Sequence, residues 1–291
     1  MSAFELIKET PVLLYGVTCL FALTVGSFLN VVIHRLPLIL EARWHRECTE
    51  SGEESPQGDE QPPLSLARPG SHCPHCGHAL NAYENIPLLS YLLLRGRCSA
   101  CAARISPRYP IIEAATAVLS ILVVWRFGVG WETAAALLLT WGLIALAAID
   151  LDTQLLPDLI TLPLLWLGLL VSLAGWYSDS HSAILGSALG YLFLWSIFHL
   201  FRLTTGKEGM GYGDFKLFAL FGAWLGWQHL PQIMILSAVT GALVGVALIV
   251  LRQHDRQVPI PFGPYLAAAG WISLMWGDEI NKMYLSMSGI A

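Results

Sequence analysis

The chain has 291 residues, of which 55% are hydrophobic and 13% charged, with a mean hydropathy of +0.58. These values exclude a disordered chain and favour a polytopic membrane protein over a soluble one. The net charge of −5 decides little, because in such a chain the placement of charges matters more than their sum.

Apolar runs long enough to span a bilayer, or nearly so, recur along the chain. They cover residues 11–33, 110–125, 133–149, 159–176, 182–201, 215–227, 230–251 and 260–276. The pattern predicts an all-α polytopic membrane protein with about eight transmembrane helices. The first run is too long for a signal-peptide core and ends in His34-Arg35 without a small-residue cleavage site, so it reads as a retained anchor. The sixth is short, and its boundary with the seventh falls near Pro231.

Lysine and arginine set the orientation. Residues 35–108 hold eight arginines; Arg202, Lys207, Lys216, Arg252 and Arg256 flank later loops on the same predicted side. Only Lys8, Arg126 and Lys282 fall on the other. The long loop is therefore expected in the cytoplasm and both termini outside. Three regions follow: an anchor (1–33), a cytoplasmic loop with a four-cysteine module (34–109) and a membrane bundle (110–291).

Within the loop, residues 47–63 are charged and rich in Gly, Pro and Ser, without apolar periodicity, and read as a mobile loop. Next come Cys73-Pro74-His75-Cys76 and Cys98-Ser99-Ala100-Cys101, two CxxC knuckles separated by 21 residues. Four thiolates at this spacing fit a tetrahedral zinc ribbon, a small structural module whose folding energy metal binding can supply. A redox role for the pairs is the functional rival, and a disulfide reading opposes the cytoplasmic placement. His72, His75 and His78 are alternative ligands that four cysteines leave solvated. Cys19 reads as a small core residue of the first span, and Cys48 is assigned no role.

Two carboxylates adjoin apolar runs on the cytoplasmic side. Asp150 lies in Ala147-Ala148-Ile149-Asp150-Leu151-Asp152, and Asp214 ends Gly211-Tyr212-Gly213-Asp214. An ionisable group there is costly and marks function by default. Two carboxyls brought together share a proton and can serve as an acid/base couple, the chemistry of an aspartic protease. Singly, each motif also fits the bland reading of a helix leaving the bilayer. Asp158 directly precedes an apolar run and reads as a helix N-cap. Gly206, Gly209, Gly211 and Gly213 predict a supporting loop in which backbone or substrate can approach closely.

The chain resembles the type IV prepilin leader peptidases, within the broader Gly-x-Gly-Asp intramembrane aspartyl protease group. The resemblance is carried by residues 26–37 (GSFLNVVIHRLP), Ser71-His72-Cys73-Pro74-His75-Cys76, residues 85–91 (NIPLLSY) and Arg95-Gly96-Arg97-Cys98. It continues through Ile105-Ser106-Pro107-Arg108-Tyr109-Pro110 with Glu113, Leu156-Pro157-Asp158 and residues 211–217 (GYGDFKL). It implies cleavage of the basic leader of type IV prepilins and type II secretion pseudopilins, after a glycine, at the cytoplasmic face of the bacterial inner membrane. S-adenosylmethionine-dependent N-methylation of the new amino terminus follows. By the resemblance Asp150 and Asp214 are catalytic, with Asp152 the competitor for the first position, and the cysteine motif marks the bifunctional form. Glu84 and Gly96 become methyltransferase candidates, although Gly96 equally suits a hairpin turn of the cysteine module. No glycine-rich nucleotide-binding loop after a strand appears. The acidic group Asp150, Asp152 and Asp158 would attract a basic leader. The partners implied are prepilins, pseudopilins and membrane lipid, with no nucleic acid.

Two rivals stay open. A presenilin-like protease cuts within a helix, against which the cysteine module and the cytoplasmic edge both count. A proton-coupled transporter relays protons through buried acids and is built from inverted repeats, which this chain does not display.

Overall fold

The computed structural model describes residues 10–50, 65–207, 209–252 and 261–288. Its first helix, α1 (Pro11–Glu50), does not stop where the apolar run ends at Ile33. Leu29, Val32, Ile33, Leu36 and Ile39 are all buried, at the i, i+3, i+4, i+7 spacing of one helix face, so packing carries the helix on through Pro37. The predicted loop at 47–63 is corrected accordingly: residues 47–50 are helical, and 51–63 lie outside the described residues.

The chain divides into two units, Met1–Val129 and Gly130–Ala291. In the first, α1 packs along α3 (Arg108–Phe127), with the short α2 (Leu89–Leu93) in the module between them. The close approach is set by Gly26, where a methyl group would lie 2.8 Å from Glu113 Cα. Asn30 Nδ2 donates to the Tyr109 carbonyl at 3.2 Å, and the buried Arg35 guanidinium donates to the carbonyls of Ser65, Leu66 and Gly70. A buried charge is tolerated when its donors are met in this way.

The second unit holds α4 (Trp131–Thr153), α5 (Asp158–Ser172), α6 (Ser180–Thr205), α7 (Tyr212–Leu225), α8 (Leu230–Arg252) and α9 (Gly263–Ser288). Helix α7 is its centre: between Asp214 and Leu225 every residue except Lys216 is buried. A helix that is apolar all round sits inside a bundle, which is why this run can be shorter than a bilayer span. Helix α6 meets it backbone to backbone: a methyl group on Gly222 would collide with the Gly186 carbonyl, and one on Gly190 would lie 2.9 Å from the Phe218 carbonyl oxygen. Small residues at helix contacts permit this approach in membranes. On another side, Trp224 Nε1 donates to the Leu164 carbonyl of α5 at 2.8 Å.

Eight helices of 14 residues or more thus stand at the eight apolar runs, and no strand occurs among the described residues. Among the described residues, five stretches are long and apolar enough to cross a membrane: Pro11–Cys48, Arg108–Phe127, Trp131–Thr153, Ser180–Thr205 and Trp227–Leu248. The chain is a multi-pass all-α membrane protein. The boundary expected near Pro231 falls earlier, at Gly226 (φ 79), and Pro231 lies in the first turn of α8, where a missing N–H costs nothing. Helix α9 continues past residue 276 and kinks at Trp276 (φ −139, ψ 18).

Candidate active site and metal centre

Asp150 occupies the last turn of α4, which closes with Gln154 in the left-handed conformation (φ 54) donating its N–H to the Asp150 carbonyl at 2.9 Å. Asp214 occupies the first turn of α7, a helix end that favours negative charge. The two residues are buried, at 5% and 8% exposure, and the charge of Asp150 acts on Asp214. Asp152, two residues on, is exposed.

The neighbours explain the arrangement. Gly263, at the start of α9, donates its N–H to Asp150 Oδ2 at 3.0 Å, and a methyl group there would lie 2.6 Å from the same oxygen. Leu156 fills the space between the two aspartate segments: a methyl group on Gly213 would lie 2.7 Å from its Cβ, and one on Gly263 would lie 3.3 Å from its Cδ2. Gly213 is therefore needed for close approach. Gly211 is the extended N-cap of α7 (φ −81, ψ 149), and the Asp214 N–H donates to its carbonyl at 3.2 Å.

Asp158 departs from its expected role. Pro157 is the N-cap of α5, and the Asp158 carboxylate instead receives Lys216 Nζ at 2.7 Å on each oxygen. The pair ties the start of α5 to the first turn of α7. Gly263, Leu156 and the Asp158–Lys216 pair carry no motif that chemistry alone would single out. The only sequence signals were Leu156-Pro157-Asp158 and Lys216 standing within the resemblance.

The four cysteines of the first unit converge. All four Sγ atoms lie within 4.8 Å of one another, with Cys73–Cys101 at 3.9 Å and Cys76–Cys98 at 4.0 Å. Zinc bonded to sulfur at about 2.3 Å in a tetrahedron sets sulfurs roughly 3.8 Å apart, so the set fits one metal ion. The two knuckles repeat each other: Cys73 N–H donates to the His78 carbonyl and Cys98 N–H to the Ala103 carbonyl, each at 2.9 Å. Gly77 (φ 70) and Ala102 (φ 57) hold equivalent left-handed positions. Backbone N–H groups of Cys76 and His75 lower the Cys73 thiol to about 7. At Cys76 the His78 amide favours the thiolate, but the Cys101 thiol and desolvation outweigh it and push the group up to about 12. A bound cation would remove that conflict by favouring every thiolate at once.

Glu84 lies inside this module. Its side chain is 1% exposed, and Oε2 accepts from Asn81 N at 2.8 Å and Asn81 Nδ2 at 3.1 Å, with His78 Nε2 at 3.2 Å. Ser99 of the second knuckle, then the Asn81 amide, hold the carboxyl at about 2, well below its usual range. His78 is thus engaged rather than solvated; His72 Nδ1 sits 2.9 Å from the Gly70 carbonyl. Gly96 (φ 66) is buried in the turn before the second knuckle, where a methyl group would lie 3.0 Å from the Tyr91 ring. Cys19 is half-buried and Cys48 exposed.

The family model described as the bacterial peptidase A24 N-terminal domain matches residues 20–127, and that of the type IV leader peptidase family matches residues 137–246. The prepilin leader peptidase/N-methyltransferase of Aeromonas hydrophila is 55% identical over 97% of each chain. The Pseudomonas aeruginosa protein of that name is 52% identical over 99% of each chain. That of Legionella pneumophila is 47% identical over 96% of this chain and 97% of its own. No solved structure matches the chain. With both family models side by side along it and relatives of this identity matching end to end, the chain belongs to the type IV leader peptidase family.

Proposed function

We propose that the protein is a bifunctional prepilin leader peptidase and N-methyltransferase of the bacterial inner membrane. Asp150 and Asp214 cleave the basic leader of type IV prepilins and type II secretion pseudopilins at the cytoplasmic face. The observation that carries the reading is two buried, interacting carboxyls at helix ends in one unit, with Asp150 fixed by the Gly263 N–H. The names of the full-length relatives supply the substrate class. In the first step one carboxylate takes a proton from water as the oxygen attacks the scissile carbonyl, which the protonated partner polarises. As the C–N bond breaks, a carboxyl returns the proton to the leaving amine. The exposure of Asp152 supports Asp150 as the first member of the pair.

Cys73, Cys76, Cys98 and Cys101 hold zinc as a structural ion in this proposal, and S-adenosylmethionine supplies the methyl group. Glu84 and Gly96 shape the loop that serves methylation: both are buried within it, which suits positioning better than direct contact. The test co-expresses a prepilin with each variant. Asp150→Asn and Asp214→Asn abolish cleavage while remaining folded in the membrane, and Asp152→Asn retains most of it. An inactive Asp152→Asn beside an active Asp150→Asn overturns the choice of the first carboxylate.

A further inference from the structure

A cleft of about 310 Å³ opens in the first unit, whereas the aspartates belong to the second. Thr24, Ser27, Phe28 and Val31 line it from one stripe of α1, and Ser71, Asn85 and Pro87 close it from the cysteine module. None of these described lining side chains is charged. Glu113 on α3, a residue 8% exposed, shares a hydrogen bond with the Ser27 side chain. Its Oε2 also accepts from Leu88 N at 2.8 Å, holding Leu88 at φ 58 next to Pro87. A non-glycine residue at positive φ is strained, and such strain persists where the surroundings enforce it, commonly at functional sites. A buried carboxyl on a membrane helix is itself a functional signal, and peptide cleavage leaves this one unused.

We propose that this cleft is the methyl-acceptor site, seating the newly exposed amino-terminal residue of the cleaved substrate while Ser27 and Glu113 remove the proton from its amine. The inference rests on the methyltransferase reading above. A free α-amine has an ordinary pKa of about 7.7–8.0, so at neutral pH it is mostly protonated and cannot attack. An uncharged, partly apolar cleft disfavours the ammonium, and a carboxylate one hydroxyl away gives its proton a destination. Phe28, Val31 and Pro87 suit an apolar first side chain. The methyl donor is cationic at sulfur and zwitterionic at its amino-acid end, and the described lining residues offer no charge to pair with that end. The amine nitrogen attacks the methyl carbon of the sulfonium, the N–C bond forms as the C–S bond breaks, and the electron pair departs with sulfur as a neutral thioether. Before the attack the ammonium's surplus proton passes through the Ser27 hydroxyl to Glu113, and the product forms as the methylated ammonium.

The experiment uses the purified full-length protein, a leader-bearing substrate, a processed peptide with a free amino terminus and radiolabelled S-adenosylmethionine. Glu113→Gln keeps cleavage and donor binding near wild-type levels but loses at least about tenfold in methyl transfer at pH 7, a deficit that shrinks towards pH 9, where the amine is neutral unaided. Ser27→Ala shows the same pattern more weakly. Val31→Trp, which narrows the cleft and leaves Glu113 intact, raises the KM for the processed peptide. Undiminished methylation in Glu113→Gln, or a loss independent of pH, overturns the proton role. An unchanged KM in Val31→Trp overturns the acceptor site, as does lost donor binding, which would make the cleft the donor's. Absence of methyl transfer in the wild type would strike the methyltransferase reading itself.

Discussion

Asp179 illustrates how single side chains set the ends of these helices. It caps α6, its Oδ1 accepting from the Ser182 N–H at 3.0 Å. The Ser182 side chain and then its amide lower the Asp179 pKa from 3.8. A depressed folded pKa stabilises the protein above the ordinary value, and that contribution is lost as pH falls through the folded one. Asp179→Ala is therefore expected to lower the melting temperature at pH 7, with the gap to wild type narrowing below pH 3.8. A gap that does not change with pH would show that the carboxylate charge is not what caps the helix. At this scale the convergence of the four cysteines was legible, because two CxxC knuckles at this spacing suit four ligands around one ion. The aspartates were legible as a pair, because charge beside an apolar run is conspicuous. Gly263 and Leu156 were not, since a backbone N–H and a packing methyl leave no mark on residue type.

Among the elements, the Asp158–Lys216 pair spans the segment that carries Leu156 and fixes the start of α5 against α7. With side-chain exposures of 52% and 29%, it is worth little as stability alone. Its expected effect is on geometry: Asp158→Lys or Lys216→Asp lowers kcat for cleavage, and the doubly exchanged protein recovers much of it. Failure of the exchange to restore activity would count against the tie. The contact of Gly186 with Gly222 makes a separate prediction. Gly222→Leu forces α6 and α7 apart and is expected to cost on the order of 1–3 kcal/mol or more, read as a lower unfolding temperature in detergent. The helices themselves were legible from apolar runs. Their ends were not, because α1 continues on the packing of Leu36 and Ile39. Asp158 was misread as a cap because sequence does not reveal that Lys216 lies across from it.

In the molecule as a whole, the two proposed activities fall in separate units. The aspartates and every neighbour described for them lie within Gly130–Ala291, whereas the cysteines, Glu84, Gly96 and the cleft lie within Met1–Val129. The purified protein is expected to carry about one zinc per chain. Replacing Cys73 and Cys76 by Ser should release the metal and end methylation while cleavage persists; metal analysis and the mass of the processed substrate read both outcomes. Gly96→Glu, crowding Tyr91 at a positive φ, should likewise yield cleaved but unmethylated substrate. The central claim is that Asp150 and Asp214 act as one unit, and a double-substitution cycle on kcat/KM for leader cleavage tests it most directly. Each single Asn variant should lose about a thousandfold or more, and the double variant should be no slower than either. Losses that multiply in the double variant, or one single variant keeping a tenth of wild-type activity, would contradict it.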